Sequence, residues 1–174
     1  MLKRMNSLKT YLSNQIDFPS HVLEDGKMSD HYSIQDLIGE GLIIEVKEEE
    51  NHILPQHLEN YHLNKGDIIF FKTLNSKINK NGEIKENFVF LHQDTANLLV
   101  EKQVKMVGID YISVDNPNNH HLPVHNTLLK NEILIVENLE LYFIPEGRYF
   151  FRVYPLNVKG VDGSPVRVTA DTIN

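Results

Sequence analysis

The sequence predicts a mixed α/β domain, and two observations carry that prediction. The apolar runs are short, rich in Ile, Val and Phe, and punctuated by Gly, Asn and Asp, which reads as strands separated by a few helices. Between residues 93 and 136 the pattern alternates helix, strand, helix, strand, the order of repeated α/β units. A length of 174 residues suits one domain with a real core, here taken as 1–174, and is short for two.

Taken in order, the first helical candidate is Ile34 to Ile38, followed by a strand at 41–46, GLIIEV. A second short helix is expected at Pro55 to Tyr61, and a strand at 67–73, DIIFFKT. Residues 75–87, NSKINKNGEIKEN, are polar, lysine-rich and turn-prone, so they read as a solvated loop or hairpin tip. The best helix runs from Gln93 to Gln103, with Asp94 or Thr95 as its cap and Ala96, Leu99 and Val100 as its apolar stripe. Strands at 105–109 and 132–136 flank a short helix at 125–130, and two more follow at 148–156 and 165–170. At least two of these strands are apolar at consecutive positions and should be buried on both faces. The turn Gly160-Val161-Asp162-Gly163-Ser164-Pro165 precedes the last of them, and a structural role for its glycines suffices.

Composition narrows the function classes. With 17 Lys plus Arg against 24 Asp plus Glu the net charge is −7, and the pI is near 5.7. That balance opposes a nucleic acid partner, as does the lack of a basic aromatic stripe. There is no Cys, so disulfides, thiolate ligands and a cysteine nucleophile are excluded, and a metal must sit on N and O ligands. Residues 1–18 hold no sustained apolar run, so no signal peptide or membrane span is read, and a cytoplasmic setting is expected by default. Neither a phosphate-binding loop nor a nucleophile elbow is present.

The nine His are the unusual feature. Pro19 biases Phe18 toward an extended conformation, and along an extended strand Asp17 and His21 would share a face. Such a pair can supply a metal ligand and a general base, or form a simple hydrogen bond. His125 at a helix start and Glu137 at a strand end both occupy element termini, where sites in α/β folds gather. His and carboxylate ligands without Cys suit zinc, manganese or iron. His121 and His125 have helical ligand spacing, but Pro123 between them opposes a continuous helix, and His120 and His121 are read as solvated. His31, His52, His57, His62 and His92 are read as background surface His.

Several separated segments together resemble one family, the metal-dependent cyclases that include bacterial kynurenine formamidase. They are IDFPSH at 16–21, VGIDYISVD at 107–115, HNTLLKNEILIVENL at 125–139 and GVDGSPVRV at 160–168. The resemblance implies a swivelling β/β/α domain, assembled as a homodimer or larger homo-oligomer, that hydrolyses amides with two zinc ions or a related metal. Family members carry H-x-G-T-H-x-D-x-P-x-H, where residues 11–21 read Y-L-S-N-Q-I-D-F-P-S-H. Asp17 falls on the metal-bridging Asp and His21 on the general-base His, while Tyr11 and Gln15 stand where the family has two His ligands. His125 and Glu137 fall on ligands of the second metal.

The resemblance therefore implies one divalent ion at most, zinc or manganese, held by Asp17, His125 and Glu137 with Gln15 as an extra ligand. His21 would move the proton when water attacks a small-molecule amide, cyclic amide or lactone. The rival expectation is a non-catalytic relative that keeps the fold and binds a small molecule or a protein. The motif begins near residue 11 and not after a substantial N-terminal segment, so the chain is expected to start late relative to the family pattern, with a substrate pocket and assembly that differ from the usual ones.

Overall fold

Strands that are apolar at consecutive positions need cover on both faces, and four parallel strands of this chain, those of its barrel, find it. The computed structural model describes residues 14–47, 51–78 and 88–173. In chain order the strands are β1 (Gln15–Asp17), β2 (Ile38–Glu45), β3 (His52–Ile53), β4 (Ile68–Lys72), β5 (Phe90–Leu91), β6 (Met106–Ile109), β7 (Leu134–Glu137), β8 (Gly147–Pro155) and β9 (Gly163–Thr172). The helices are α1 (Asn75–Ile78), α2 (Gln93–Glu101) and α3 (Pro123–Lys130), with 3-10 turns at Pro19–His21, Ser29–His31, Ile34–Leu37 and Pro55–Leu58.

Seven strands close into a barrel in the order β1, β7, β6, β4, β2, β8, β9, and β9 returns to pair with β1. Strands β2, β4, β6 and β7 are mutually parallel, whereas β8, β9 and β1 join antiparallel. Alternate residues serve two cores. Leu42, Ile44, Ile69, Phe71, Val107, Ile109 and Ile135 face a layer shared with Ala96 and Leu99 of α2 and Leu128 and Leu129 of α3. Their neighbours Ile43, Ile68, Phe70, Met106, Leu134 and Val136 fill the barrel with Ile16, Phe18 and Phe151. Gly108 takes part by omission: a Cβ there would lie 2.6 Å from Phe70 Cδ1 and 2.7 Å from Leu139 Cδ1, so the glycine makes room for the Phe70 ring.

All six expected strands form, each shifted at its ends by a few residues. The helical expectations need more correction. Residues 34–37 and 55–58 make only single 3-10 turns, because each segment is one turn long and is followed directly by extended or irregular chain. Helix α2 stops at Glu101, since Gln103 adopts a left-handed φ of 54°. Its cap is neither Asp94 nor Thr95. His92 Nδ1 accepts from the Asp94 N–H at 3.2 Å, and Thr95 is buried with its hydroxyl donating to the Ile53 carbonyl at 2.6 Å.

Helix α3 begins two residues before the expected start, with Pro123 in its first turn. The loop expected at 75–87 fails at its beginning, where Asn75 is buried and exchanges two hydrogen bonds of 2.8 Å with the Val89 backbone. Residues 79–87 lie outside the described residues.

Candidate metal centre

β1 carries Asp17 into the barrel wall. It is only three residues long, yet it pairs on one side with β7, Gln15 opposite Glu137, and on the other with β9, Asp17 opposite Gly163. The chain then turns. Phe18 is extended, as a residue before proline should be, with φ −100° and ψ 161°, and Pro19 opens the 3-10 turn that ends at His21. The extended run expected through Pro19 is thus corrected to a turn, because the fixed φ of proline suits the first position of a helical turn. Asp17 and His21 still meet, brought together by the turn and not by strand alternation.

His125 sits in the first turn of α3 and Glu137 is the last residue of β7, so both lie at the C-terminal side of the parallel strands. His125 Nε2 is 3.2 Å from Glu137 Oε1 and 3.7 Å from Asp17 Oδ2. All three side chains are buried, at 4% exposure or less. Glu137 Oε1 also accepts from the Val114 N–H at 3.1 Å, and its Oε2 accepts from Gln15 Nε2 at 3.1 Å. His21 stands at the rim, about one third exposed, with its Nδ1 3.6 Å from Asp162 Oδ2 and its ring centroid 5.9 Å from that of His125. Asp17, His21 and His125 can each offer one ligand atom within 4.8 Å of the other two.

The electrostatics favour a cation. Burial disfavours the imidazolium of His125, but the carboxylates of Asp115, Asp17 and Glu137 around the ring outweigh it and hold its pKa well above the ordinary value. Burial raises the Glu137 carboxyl, and the nearby Asp17 charge adds to that. Asp17 Oδ2 is buried and has no hydrogen-bond partner. A buried carboxylate oxygen without a donor costs free energy unless something positive meets it. The donor set, one imidazole nitrogen and carboxylate oxygens, is that of a hard or borderline divalent ion, so the residues present fit a metal.

The structure thus brings Asp17, His21, His125, Glu137 and Gln15 together, while Tyr11 lies outside the described residues. His120 and His121 are exposed, as expected. Three of the His read as background have local work instead: Nδ1 of His31, His57 and His92 each accepts a backbone N–H at the start of a short helix. Sequence reasoning missed Asp115, which is buried and contacts His125 Nδ1 at 2.6 Å. The available signal was the start of α3, which has no Ser, Thr, Asp or Asn of its own to cap it. A larger hollow of about 600 Å³ at the β8 and β9 mouth is lined mainly by apolar side chains, including Ile43, Phe70 and Phe151, and lacks this set of acids and imidazoles.

Comparison with known proteins agrees with this fold. The family model described as "Putative cyclase" matches residues 6–116. A protein named kynurenine formamidase from Bacillus mycoides is 34% identical over 161 residues, which is 92% of this chain and 76% of that one. A solved structure described as a potential metal-dependent hydrolase with cyclase activity superposes with a TM-score of 0.85 at 30% identity, covering 94% of this chain and 80% of the other. Isatin hydrolase A from Labrenzia aggregata shares the fold, with a TM-score of 0.78 at 19% identity over 90% of this chain and 71% of its own. With its barrel, its segment order and these similarities, the chain belongs to the cyclase family.

Proposed function

We propose that this protein is a metal-dependent hydrolase of small amides, cyclic amides or lactones that works with a single divalent ion, zinc or manganese. The observation that carries the reading is the convergence of buried Asp17, His125 and Glu137 around a carboxylate oxygen that has no hydrogen-bond partner. These three residues would hold the ion, and the carbonyl oxygen of Gln15 would be a further ligand. When bound, the ion supplies positive charge that polarises a carbonyl and acidifies water. Glu137 is kept in place by Val114 and Gln15, and Asp17 by its strand pairing.

His21 is the group free to carry a proton. Its exposure lets substrate and water reach it, and its place beside the ligands suits a base that takes the proton of the attacking water and returns it to the leaving nitrogen. The cleft lined by Gln15, Asp17, His21, Asp162, Gly163 and Pro165 holds about 190 Å³, enough for a formyl or other small acyl group. Beyond His21 and Asp162 a second hollow of about 430 Å³ is lined by Ser20 and Glu24 as well as Val22, Leu23 and Met28, a mostly polar lining that suits a leaving portion carrying polar groups. Relatives named kynurenine formamidase support an amide as substrate. A cytoplasmic setting and a homo-oligomeric assembly belong to the same reading.

The deciding experiment measures metal content after purification without chelator, for the native chain and for His125→Ala, alongside hydrolysis of N-formylkynurenine and a panel of simple amides and lactones. Stoichiometric metal that is lost in the variant, with turnover in the native chain, is the expected result. Metal-free protein that stays inactive after zinc or manganese is added would overturn the reading and leave a non-catalytic binding protein.

A further inference from the structure

Asp115 is 1% exposed, and neither the ligand set nor the proton carrier uses it. It follows β6 in the loop that leads to α3. Two backbone N–H groups and one ring nitrogen converge on its carboxylate: Val124 N at 2.9 Å on Oδ1, and His125 N at 2.9 Å and His125 Nδ1 at 2.6 Å on Oδ2. Leu122, the residue before α3, is left-handed with φ 46° and ψ 56° and provides no side-chain cap. Asp115 therefore caps the helix from ten residues upstream, and the same oxygen that receives the His125 backbone N–H also receives its ring.

We propose that Asp115 is a positioning residue for the centre: it fixes the proton of the neutral His125 ring on Nδ1, so that the Nε2 lone pair faces Asp17 and Glu137. An ionised carboxylate can only accept, and of the two ring nitrogens Nδ1 makes the closer contact, 2.6 Å from Asp115 Oδ2 against 3.2 Å for Nε2 from Glu137 Oε1, so the neutral ring keeps its one hydrogen on Nδ1. The other nitrogen is then the one that can bind a cation, which is how a carboxylate behind a ligating imidazole acts in metal sites generally. An amide at this position offers one accepting and one donating atom to three donors, so at least one N–H loses its acceptor. With the NH₂ toward His125, the ring must move its proton to Nε2 and the lone pair turns away from the site. The consequence for metal binding rests on the metal reading above, but the tautomer does not.

The test uses full-length protein labelled with ¹⁵N-histidine, with the His125 signals assigned by comparison with His125→Ala. Ring nitrogen shifts of the metal-free protein, read at alkaline pH where the ring is neutral, are expected to place the proton on Nδ1. In Asp115→Asn it should shift toward Nε2, and zinc affinity by chelator competition should fall about 10- to 100-fold. A native ring with its proton on Nε2 would overturn the proposal, and that measurement needs no variant to fold. So would an Asp115→Asn protein with unchanged tautomer and zinc affinity, which would leave Asp115 a helix cap alone. A native chain that shows the Nδ1–H tautomer yet binds neither zinc nor manganese supports the tautomer assignment and sinks the metal reading instead.

Discussion

At Asp17 the backbone of β9 approaches the carboxylate closely. A Cβ built on Gly163 would stand 3.1 Å from Asp17 Oδ1 and 3.2 Å from the Ile16 carbonyl, tighter than ordinary van der Waals contact. Gly163→Ala should therefore displace the carboxylate by a few tenths of an ångström while leaving the strand paired. Zinc affinity is expected to fall about tenfold, within the range for residues that support metal ligands, and chelator competition reads it. At this scale the meeting of Asp17, His21, His125 and Glu137 was legible, because their residue types and family positions are local to short motifs. Asp115 was not. Its partner lies ten residues on, across a loop whose path only the structure gives, and nothing in the segment VGIDYISVD separates it from an ordinary solvated acid.

Among the elements, β4, β6 and β7 were readable because burial on both faces leaves nearly unbroken Ile, Val and Phe runs, and the structure divides those runs between two cores. β1 was invisible as a strand, since three residues cannot show an alternation. The end of β7 hid a second feature. Asn138, directly after Glu137, is left-handed with φ 58°, and its N–H donates to the Tyr111 carbonyl at 2.7 Å, which fixes where β7 stops and how Glu137 is presented. Asn tolerates that region better than most residues. Substituting the position isolates the backbone term: Asn138→Gly and Asn138→Ala lose the same amide, and they differ by one Cβ. Asn138→Ala is expected to be the less stable of the two by about 1 kcal/mol, the reverse of the usual order within helices and strands. Denaturant midpoints at a common m-value check this, and equal midpoints would show that the left-handed turn is not enforced.

Across the whole molecule, the centre joins parts that the chain reaches at widely separated points: Asp17 from β1, His125 from α3 and Glu137 from β7. The alternation of helix and strand between 93 and 136 foretold the parallel half of the sheet. Closure of the barrel was not legible, because it depends on β8 turning back onto β2 and on β9 reaching β1, pairings that strand composition does not encode. A bound ion would clamp the wall where β1 fits between β7 and β9, and it would bind the folded chain alone, since the unfolded chain scatters its ligands. Mass action then sets the size of the effect. At a free metal concentration a hundredfold above Kd the folded state gains about 2.7 kcal/mol, which for a domain of this size is a rise in Tm on the order of 5–10 °C. Chelator should remove that gain from the native chain. His125→Ala is expected to melt at the same temperature with and without chelator, and its midpoint should not respond to added zinc. A native midpoint that likewise ignores both chelator and zinc would mean that the clamp is not formed by these residues.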